Sequence, residues 1–208
     1  MDAARKIEIM DTTLRDGEQT SGVSFSASEK LTLAKLLLQE LKVDRIEVAS
    51  ARVSEGEFDA VQRITSWAKD AGYLDQVEIL SFVDKGVSID WMEKSGVKVQ
   101  NLLTKGSLNH LTYQLKQTQE EHFNNIAENI ELASSRGIST NVYLEDWSNG
   151  MRNSASYVFS FLDFLSTQKV KRILLPDTLG ILSPEETANY LTTIIARYPK
   201  IHFDFHGH

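Results

Sequence analysis

The stretch KIEIMDTTLRDGEQT, residues 6–20, decides between the folds that the sequence allows. It begins with the short apolar run KIEIMD, which is typical of a buried strand, and charged residues follow at once. No glycine-rich phosphate-binding loop follows this first strand, which weakens the prediction of a dinucleotide-binding open sheet. Because charged residues follow the first strand directly, polar residues at the ends of the other predicted strands become informative about the fold.

Six further apolar runs of about five to eight residues predict strands. They are DRIEVAS (44–50), VEILSFV (77–83), VKVQNLLT (97–104), ISTNVYLE (138–145), VKRILLPD (170–177) and IHFDFHGH (201–208). Stretches of helical period lie between the runs, at 28–41, 56–71, 87–95, 118–136, 153–167 and 183–197. Two helices begin with the hydroxyl and glutamate pattern of a capped start: Ser26 with Glu29, and Ser183 with Pro184 and Glu186. The alternation predicts a parallel α/β fold.

Polar residues at the strand ends favour a barrel over an open sheet. These residues are Asp16, Ser50, Asp84, Thr104, Glu145, Asp177, Thr178, His206 and His208. A (β/α)8 TIM barrel brings such ends together on one face, whereas an open sheet spreads them out. We therefore predict a single catalytic barrel domain over residues 1–208. A full barrel takes about 250 residues, so we expect one truncated after strand 7, a partial version of a longer enzyme without strand 8 and the closing helices.

The composition narrows the classes of function. A formal charge of -7 without a long Lys/Arg run argues against nucleic acid or an anionic membrane as a partner. With no cysteine, any metal must be bound by histidine and carboxylate, and there is no thiol nucleophile. The polar N-terminus and the lack of a window of roughly 18 apolar residues predict a cytoplasmic protein.

The terminal motif FDFHGH indicates a metal site. Positions two apart in an extended strand face the same side, so His206 and His208 should project together. In a barrel only the eighth strand separates the first from the seventh, which allows Asp16 to join them. Two imidazoles and a carboxylate suit a divalent metal that also binds substrate oxygens. A chance histidine pair and a turn-forming Asp16 are the alternatives that the pattern leaves open.

Several motifs together resemble one family. The motifs are DTTLRDGEQ after the first strand, LPDTLG after the sixth and HGH in the seventh. They resemble the HMGL-like DRE-TIM metallolyase superfamily, in its Claisen-condensing branch of isopropylmalate, homocitrate and citramalate synthases. The longer strings RDGEQTSGVSF, VDRIEVASARVS, NLLTKGSL, NVYLEDWSNG and LPDTLGILSPEET are most similar to bacterial (R)-citramalate synthases. The likeness extends over the whole sequence.

The resemblance implies an acyltransferase that joins acetyl-CoA to pyruvate and hydrolyses the thioester, giving (R)-citramalate and CoA on a route to isoleucine. The alternative within the family is 2-isopropylmalate synthase of leucine biosynthesis, and outside it a catalytically inert truncated barrel. The resemblance also implies a divalent metal ion (Mn, Mg, Zn or Co), acetyl-CoA as co-substrate and a homodimer for the full-length enzyme.

The resemblance also assigns reaction roles to residues of this sequence. The implied metal ligands are Asp16, His206 and His208. Arg15 is implied to stabilise charge on the ketone oxygen, with an exposed arginine paired to Glu18 as the alternative. Glu145 is implied to act on the acetyl methyl group, either as the base or by orienting the reactants. Gly17 is expected to allow the turn after Asp16.

Binding of the 2-oxo acid is assigned in the same way. Thr178 is implied to donate to the substrate carboxylate, and His110 is a secondary candidate for substrate binding. Leu80, Leu103 and Tyr143 are candidates for a small apolar pocket that fits a methyl group. Packing in the barrel core is the alternative for these three side chains. Bulky walls would exclude the isopropyl group of 2-oxoisovalerate by overlap.

Overall fold

The computed structural model of the protein describes residues 7–208 and divides into two compact units. Unit 1 comprises the described residues as far as Ser81 and also Ser88–Gln100, and unit 2 comprises Phe82–Val87 and Asn101–His208. Lys6, the first residue of the predicted first strand, lies outside the described residues. Within residues 7–208, no helix is both long enough and apolar enough to cross a membrane.

Unit 1 contains parallel strands that pair in the order of the chain. They are β1 (Met10–Asp11), β2 (Arg45–Ser50) and β3 (Val77–Phe82). Met10 lies opposite Arg45, and Ile46 lies opposite Val77. The helices are α1 (Ala27–Lys35), α2 (Glu55–Ala71) and α3 (Val87–Ser95). A turn of π-helix, Leu36–Leu41, continues α1.

Unit 2 repeats the alternation with longer strands. Its strands are β4 (Val99–Lys105), which belongs to this unit from Asn101 onward, β5 (Ser139–Glu145), β6 (Val170–Asp177) and β7 (His202–Gly207), neighbours in that order. The pairs β5–β6 and β6–β7 are parallel, with Tyr143 opposite Leu174 and Pro176 opposite His206. Its helices are α4 (Gln119–Ser135), α5 (Trp147–Asn153), α6 (Ala155–Leu165) and α7 (Pro184–Arg197).

The two faces of β5 explain where polar side chains collect in unit 2. Val142 and Leu144 are fully buried in an apolar core with Phe161 and Trp147. Because successive strand residues point to opposite faces, Tyr143 and Glu145 belong to the other face. The apolar residues therefore attach the helices to the sheet, and the opposite face is available for chemistry.

The observed elements confirm the predicted fold class, a (β/α)8 barrel fold as far as strand 7. The capped starts of α1 and α7 are also confirmed, since the Ser26 hydroxyl accepts from the Glu29 N–H and Ser183 does the same for Glu186. The division into a single domain stays a prediction.

The structure differs from the predicted elements in three places. The first strand is only two residues long. Before it, Ile7 and Ile9 are largely exposed, and the Ile9 N–H donates to the Asp44 carboxylate. No helix was predicted over most of α5 or at His110–Leu115, which forms a turn of π-helix. Both lie in connections that follow strand ends, where tertiary packing rather than apolar periodicity fixes the backbone.

Candidate active site

The segment after β1 folds into a tight turn around one carbonyl group. The Thr12 carbonyl accepts hydrogen bonds from the N–H groups of Arg15 (3.1 Å), Asp16 (2.8 Å) and Gly17 (3.2 Å). The Leu14 side chain is fully buried and anchors the turn. Gly17 has a backbone that any residue adopts, and an added Cβ would meet Thr13 only at 3.7 Å. The expectation that glycine permits this turn is therefore wrong, because the Thr12 carbonyl organises it.

Arg15 is held by two carboxylates of unit 1. Its Nε donates to Glu47 Oε2 at 2.5 Å, and its Nη1 donates to Asp16 Oδ1 at 2.7 Å. Glu47 lies in the middle of β2 and its side chain is fully buried, while that of Arg15 is 9% exposed. The alternative of an exposed arginine paired with Glu18 does not hold, because Glu18 forms its ion pair with Lys30. The guanidinium is thus fixed in direction by a rigid strand.

Glu145, at the end of β5, forms an ion pair with Lys105 at the end of β4. The Lys105 carbonyl accepts a hydrogen bond from the Tyr157 hydroxyl of α6 at 2.8 Å, and the Gly106 N–H donates to the Glu145 carbonyl at 2.7 Å. The ends of the two strands are therefore joined by backbone and side chain together. Glu145 is presented as a paired carboxylate of partial exposure.

Asp146 connects the loops that follow β4, β5 and β6. Its backbone is left-handed (φ 64°), and its carboxylate accepts from the Ser107 hydroxyl at 2.6 Å and the Asn149 amide at 2.7 Å. Its N–H donates to the Thr178 hydroxyl oxygen at 3.0 Å. Because that oxygen already accepts a hydrogen bond, the Thr178 O–H proton can be donated elsewhere. His110 contacts the same carboxylate, with Nε2 3.5 Å from Oδ2.

Asp177 has a structural role in the loop after β6. Its carboxylate accepts from the N–H groups of Ile181 (3.1 Å) and Leu182 (2.9 Å). Burial raises its pKa, but the Leu182 N–H, the Ser148 hydroxyl and the Ile181 N–H outweigh burial and lower the pKa overall. The residue therefore closes the loop as an ionised carboxylate.

His206 and His208 lie together at the end of β7. Their Nε2 atoms are 2.9 Å apart, and the Tyr143 ring meets the His206 ring edge-on with 6.1 Å between the ring centroids. Gly180, with φ at 59°, packs against the chain here, and an added Cβ would lie 2.7 Å from the His208 carbonyl oxygen. The histidine pair predicted from the strand period is therefore present, with an aromatic ring beside it.

The remaining predicted site residues lie in both units. Leu80 is 6% exposed in β3 of unit 1, beside Ala51, whose N–H donates to the Leu80 carbonyl. In unit 2, Leu103 is partly buried in β4 and Tyr143 is 3% exposed in β5. His110 Nδ1 is buried and has no hydrogen-bond partner among the described residues. The pocket assignment of the two leucines and Tyr143 stays a prediction.

Sequence analysis did not identify four charged residues that form ion pairs or hydrogen bonds with the turn after β1 or with the strand ends of unit 2. They are Lys30, Glu47, Lys105 and Asp146. Lys30 repeats at helical spacing with the buried Ala34, Leu37 and Leu38, and Glu47 lies inside the apolar run DRIEVAS. A charge on an apolar stripe is a signal of a buried partner, and it was available in both segments.

Comparison with known proteins gives a consistent family. The family model described as HMGL-like matches residues 6–208. A probable 2-isopropylmalate synthase of Ignicoccus hospitalis is 33% identical over 180 residues, covering 86% of this chain and 43% of the relative. An (R)-citramalate synthase of Methanocaldococcus jannaschii is 34% identical over 182 residues, covering 87% of this chain and 35% of the relative. The chain thus spans less than half the length of these relatives.

A solved structure agrees with the fold. The crystal structure of hydroxymethylglutaryl-CoA lyase from Pseudomonas aeruginosa has a TM-score of 0.76 to this chain at 15% sequence identity. The match covers 98% of this chain and 68% of that chain. At so low an identity the likeness establishes the fold and nothing about the reaction.

Proposed function

Because the chain belongs to the HMGL-like family, we propose that it provides the condensing site of an acyltransferase that joins acetyl-CoA to a 2-oxo acid. Relatives named as 2-isopropylmalate and citramalate synthases support this class of reaction. The observation that carries the proposal is the fixed direction of Arg15, which Glu47 and Asp16 hold by charged hydrogen bonds. The preferred 2-oxo acid is pyruvate and the product is (R)-citramalate.

The donor set fits a divalent metal. Two imidazole nitrogens that bind one metal, each about 2.1 Å from it, must lie within about 4.2 Å of each other. The separation of 2.9 Å between the Nε2 atoms of His206 and His208 agrees with such a pair. We assign Asp16 as the third ligand from its place in the motif. These residues would hold a divalent metal, which would supply Lewis-acid polarisation of the ketone of the 2-oxo acid.

Arg15 and Thr178 act on the oxygens of the 2-oxo acid. As the new carbon–carbon bond forms, negative charge moves onto the ketone oxygen, and the fixed Arg15 guanidinium stabilises that charge. The Thr178 hydroxyl, whose oxygen accepts from the Asp146 N–H, donates its proton to the substrate carboxylate. Both donors are oriented before the substrate binds, so little reorganisation is needed in the transition state.

Glu145 acts on the acetyl methyl group. That group must lose a proton before its carbon attacks the ketone, so a base must accept the proton. The Glu145 carboxylate, partly exposed and paired with Lys105, either accepts that proton or orients the reactants while another base accepts it.

The side chain beside the histidine pair supports the proposed preference for pyruvate. Tyr143 contacts the His206 ring, so a bulky group occupies space next to the proposed metal ligand. A methyl substituent needs less of that space than an isopropyl substituent, and steric overlap discriminates strongly against the larger group. The alternative, 2-isopropylmalate synthesis from 2-oxoisovalerate, is favoured by the relative of that name at 33% identity.

A side-by-side assay of thiol release from acetyl-CoA tests the proposal. With Mn²⁺ present, we expect pyruvate to give a kcat/KM at least about tenfold above that of 2-oxoisovalerate, with citramalate as the product. Tyr143→Ala should bring the kcat/KM values for the two acids closer together. Tyr113→Ala, a change at an exposed tyrosine of the same unit, should leave their ratio unchanged. A preference for 2-oxoisovalerate would establish the alternative substrate, and no thiol release with either acid would establish an inert barrel.

A further inference from the structure

Lys30 is a buried cation whose position on α1 is unusual for a lysine. It lies on the helix stripe that also carries Ala34, which is fully buried, and its own side chain is 0% exposed. Lysine is almost never fully buried unless it is paired. A cation enclosed in this way indicates a specific task for the ammonium group.

Four oxygens surround the Lys30 ammonium. Nζ donates to the carbonyls of Leu14 (3.0 Å) and Val48 (3.3 Å), and it pairs with Glu57 Oε1 and Glu18 Oε2, each at 2.6 Å. Leu14 and Glu18 belong to the turn after β1, Val48 belongs to β2, and Glu57 belongs to the first turn of α2. One ammonium therefore joins three segments of unit 1.

The two contacts in the turn flank the motif Arg15–Asp16. Lys30 binds the residue before Arg15 through a carbonyl and a residue two positions after Asp16 through a carboxylate. The other oxygen of that carboxylate, Glu18 Oε1, accepts from the Phe25 N–H at 2.8 Å, which fixes the outgoing chain. Lys30 and Glu47 thus act on the same turn at different points, one on its backbone and one on the Arg15 side chain.

Stability alone does not account for the choice of lysine. Removing two charges from water costs free energy that their attraction repays only in part, and an apolar side chain of similar volume is often as stable or more stable. What an apolar side chain does not supply is a directed hydrogen bond to the Leu14 carbonyl. The retained charge is therefore best explained by the geometry that it imposes on the turn.

We propose that Lys30 is a positioning residue for the condensing site, holding both flanks of Arg15–Asp16 so that the guanidinium keeps one direction. The catalytic part of this inference rests on the proposed function. The structural part, that the ammonium restrains the turn, concerns only unit 1 and holds for any reaction that uses Arg15.

Hydrogen exchange of the backbone amides tests the structural part without an assay of activity. In Lys30→Met, exchange of residues 13–19 should quicken by about tenfold or more, while the amides of α2 and β3 change little. The matched control is Arg45→Met, which removes another buried cation of unit 1, paired with Glu78 in β3 rather than with the turn. It should leave exchange at residues 13–19 at the wild-type rate.

Glu18→Gln is a second variant for the case in which Lys30→Met does not fold. The Glu18 side chain is 20% exposed, and without its charge Lys30 is still paired with Glu57. This variant should also quicken exchange at residues 13–19, and Glu57→Gln should have the smaller effect there. Wild-type exchange of the turn in both Lys30→Met and Glu18→Gln, or faster exchange spread evenly over unit 1, would overturn the inference.

Steady-state kinetics test the catalytic part. Below the unfolding temperature, Lys30→Met should lower kcat by about 10²-fold, with KM for the 2-oxo acid within about threefold. Arg45→Met should keep the wild-type kcat per folded molecule, because a loss of stability alone does not alter a folded site. An unchanged kcat in folded Lys30→Met would contradict positioning. If the wild-type chain releases no thiol, the proposed function fails, and the exchange experiment still decides whether Lys30 restrains the turn.

Discussion

Arg15 depends on Glu47 for its direction, and the dependence can be measured. Glu47→Gln keeps the shape of the side chain but replaces a charged hydrogen bond by a weaker neutral one. We expect kcat to fall by roughly 10- to 100-fold with a smaller change in KM, because the proposed role of the guanidinium is in the transition state. Glu78→Gln is the control, since that buried carboxylate binds Arg45. Equal kcat values for the two variants would contradict the role of Glu47.

His122 makes the protein sensitive to acid. Burial and, to a smaller extent, the charge of Lys105 lower its pKa from 6.5 to about 4. The unfolded chain therefore takes up a proton near pH 6.5, and the folded chain does so only near pH 4. Stability is lost as the pH falls through this window, by roughly 3 kcal/mol from this group.

His122→Leu should remove that part of the pH dependence, as measured by urea unfolding at pH 7, 5.5 and 4.5. The control is His202→Leu, because the His202 side chain is 43% exposed. A wild-type pH dependence in His122→Leu would show that other groups cause the acid sensitivity.

At the scale of residues, the histidine pair could be predicted from the sequence, whereas the buried charged residues could not. His206 and His208 were predictable because the strand period alone places them on one side. The buried charges were not predictable, because each depends on a partner that is distant in the chain. Glu47 pairs with Arg15, 32 positions away, and Lys105 pairs with Glu145, 40 positions away. The partners of Lys30 are 12 to 27 positions away. Apolar periodicity predicts which face is buried but not which cation meets which carboxylate.

At the scale of elements, α5 is packed against the start of the loop after β4. A Cβ added at Gly150 would lie 2.2 Å from the Gly106 carbonyl oxygen and 2.8 Å from Val158 Cγ2. Gly150→Ala should therefore destabilise the protein by about 1–3 kcal/mol through overpacking. Gly56→Ala in α2, where the nearest atom is 3.7 Å away, should be neutral or slightly stabilising. Urea unfolding measures both, and equal midpoints would contradict the close approach.

The difference between local and tertiary signals also explains which elements were predicted. The starts of α1 and α7 are set by a serine and a glutamate three residues apart, so the sequence contains the whole signal. Helix α5 begins at the left-handed Asp146 and contains Gly150 and two asparagines. Its helical form depends on hydrogen bonds from Ser107 and Asn149 to Asp146, which no periodic pattern reveals.

At the scale of the whole molecule, binding of a divalent metal should stabilise the folded chain. With Mn²⁺ at about 100 times its Kd, the expected gain is roughly 2.7 kcal/mol, seen as a rise in Tm. His206→Ala and Asp16→Asn should abolish most of the rise, whereas His202→Ala, at an exposed histidine of the same strand, should keep it. A full rise in His206→Ala would contradict the proposed ligand set.

The fold class was predictable from the alternation of runs along the whole chain, but the 2-oxo acid was not. Relatives with two different names are 33% and 34% identical to the chain, so overall similarity does not distinguish their substrates. In the proposed function the choice depends on side chains such as Tyr143, whose contact with His206 is visible only in three dimensions. A homodimer and a cytoplasmic location stay predictions.

The groups that surround the Lys30 ammonium lie close to one another in the sequence, which has a consequence for the order of events during biosynthesis. All four oxygens around the ammonium come from residues between Leu14 and Glu57. A ribosome adds about 5–20 residues each second, so the turn that carries Arg15 can be fixed within seconds of its emergence, while later strands are still being translated. The nascent chain would then acquire the support for Arg15 before His206 and His208 are translated.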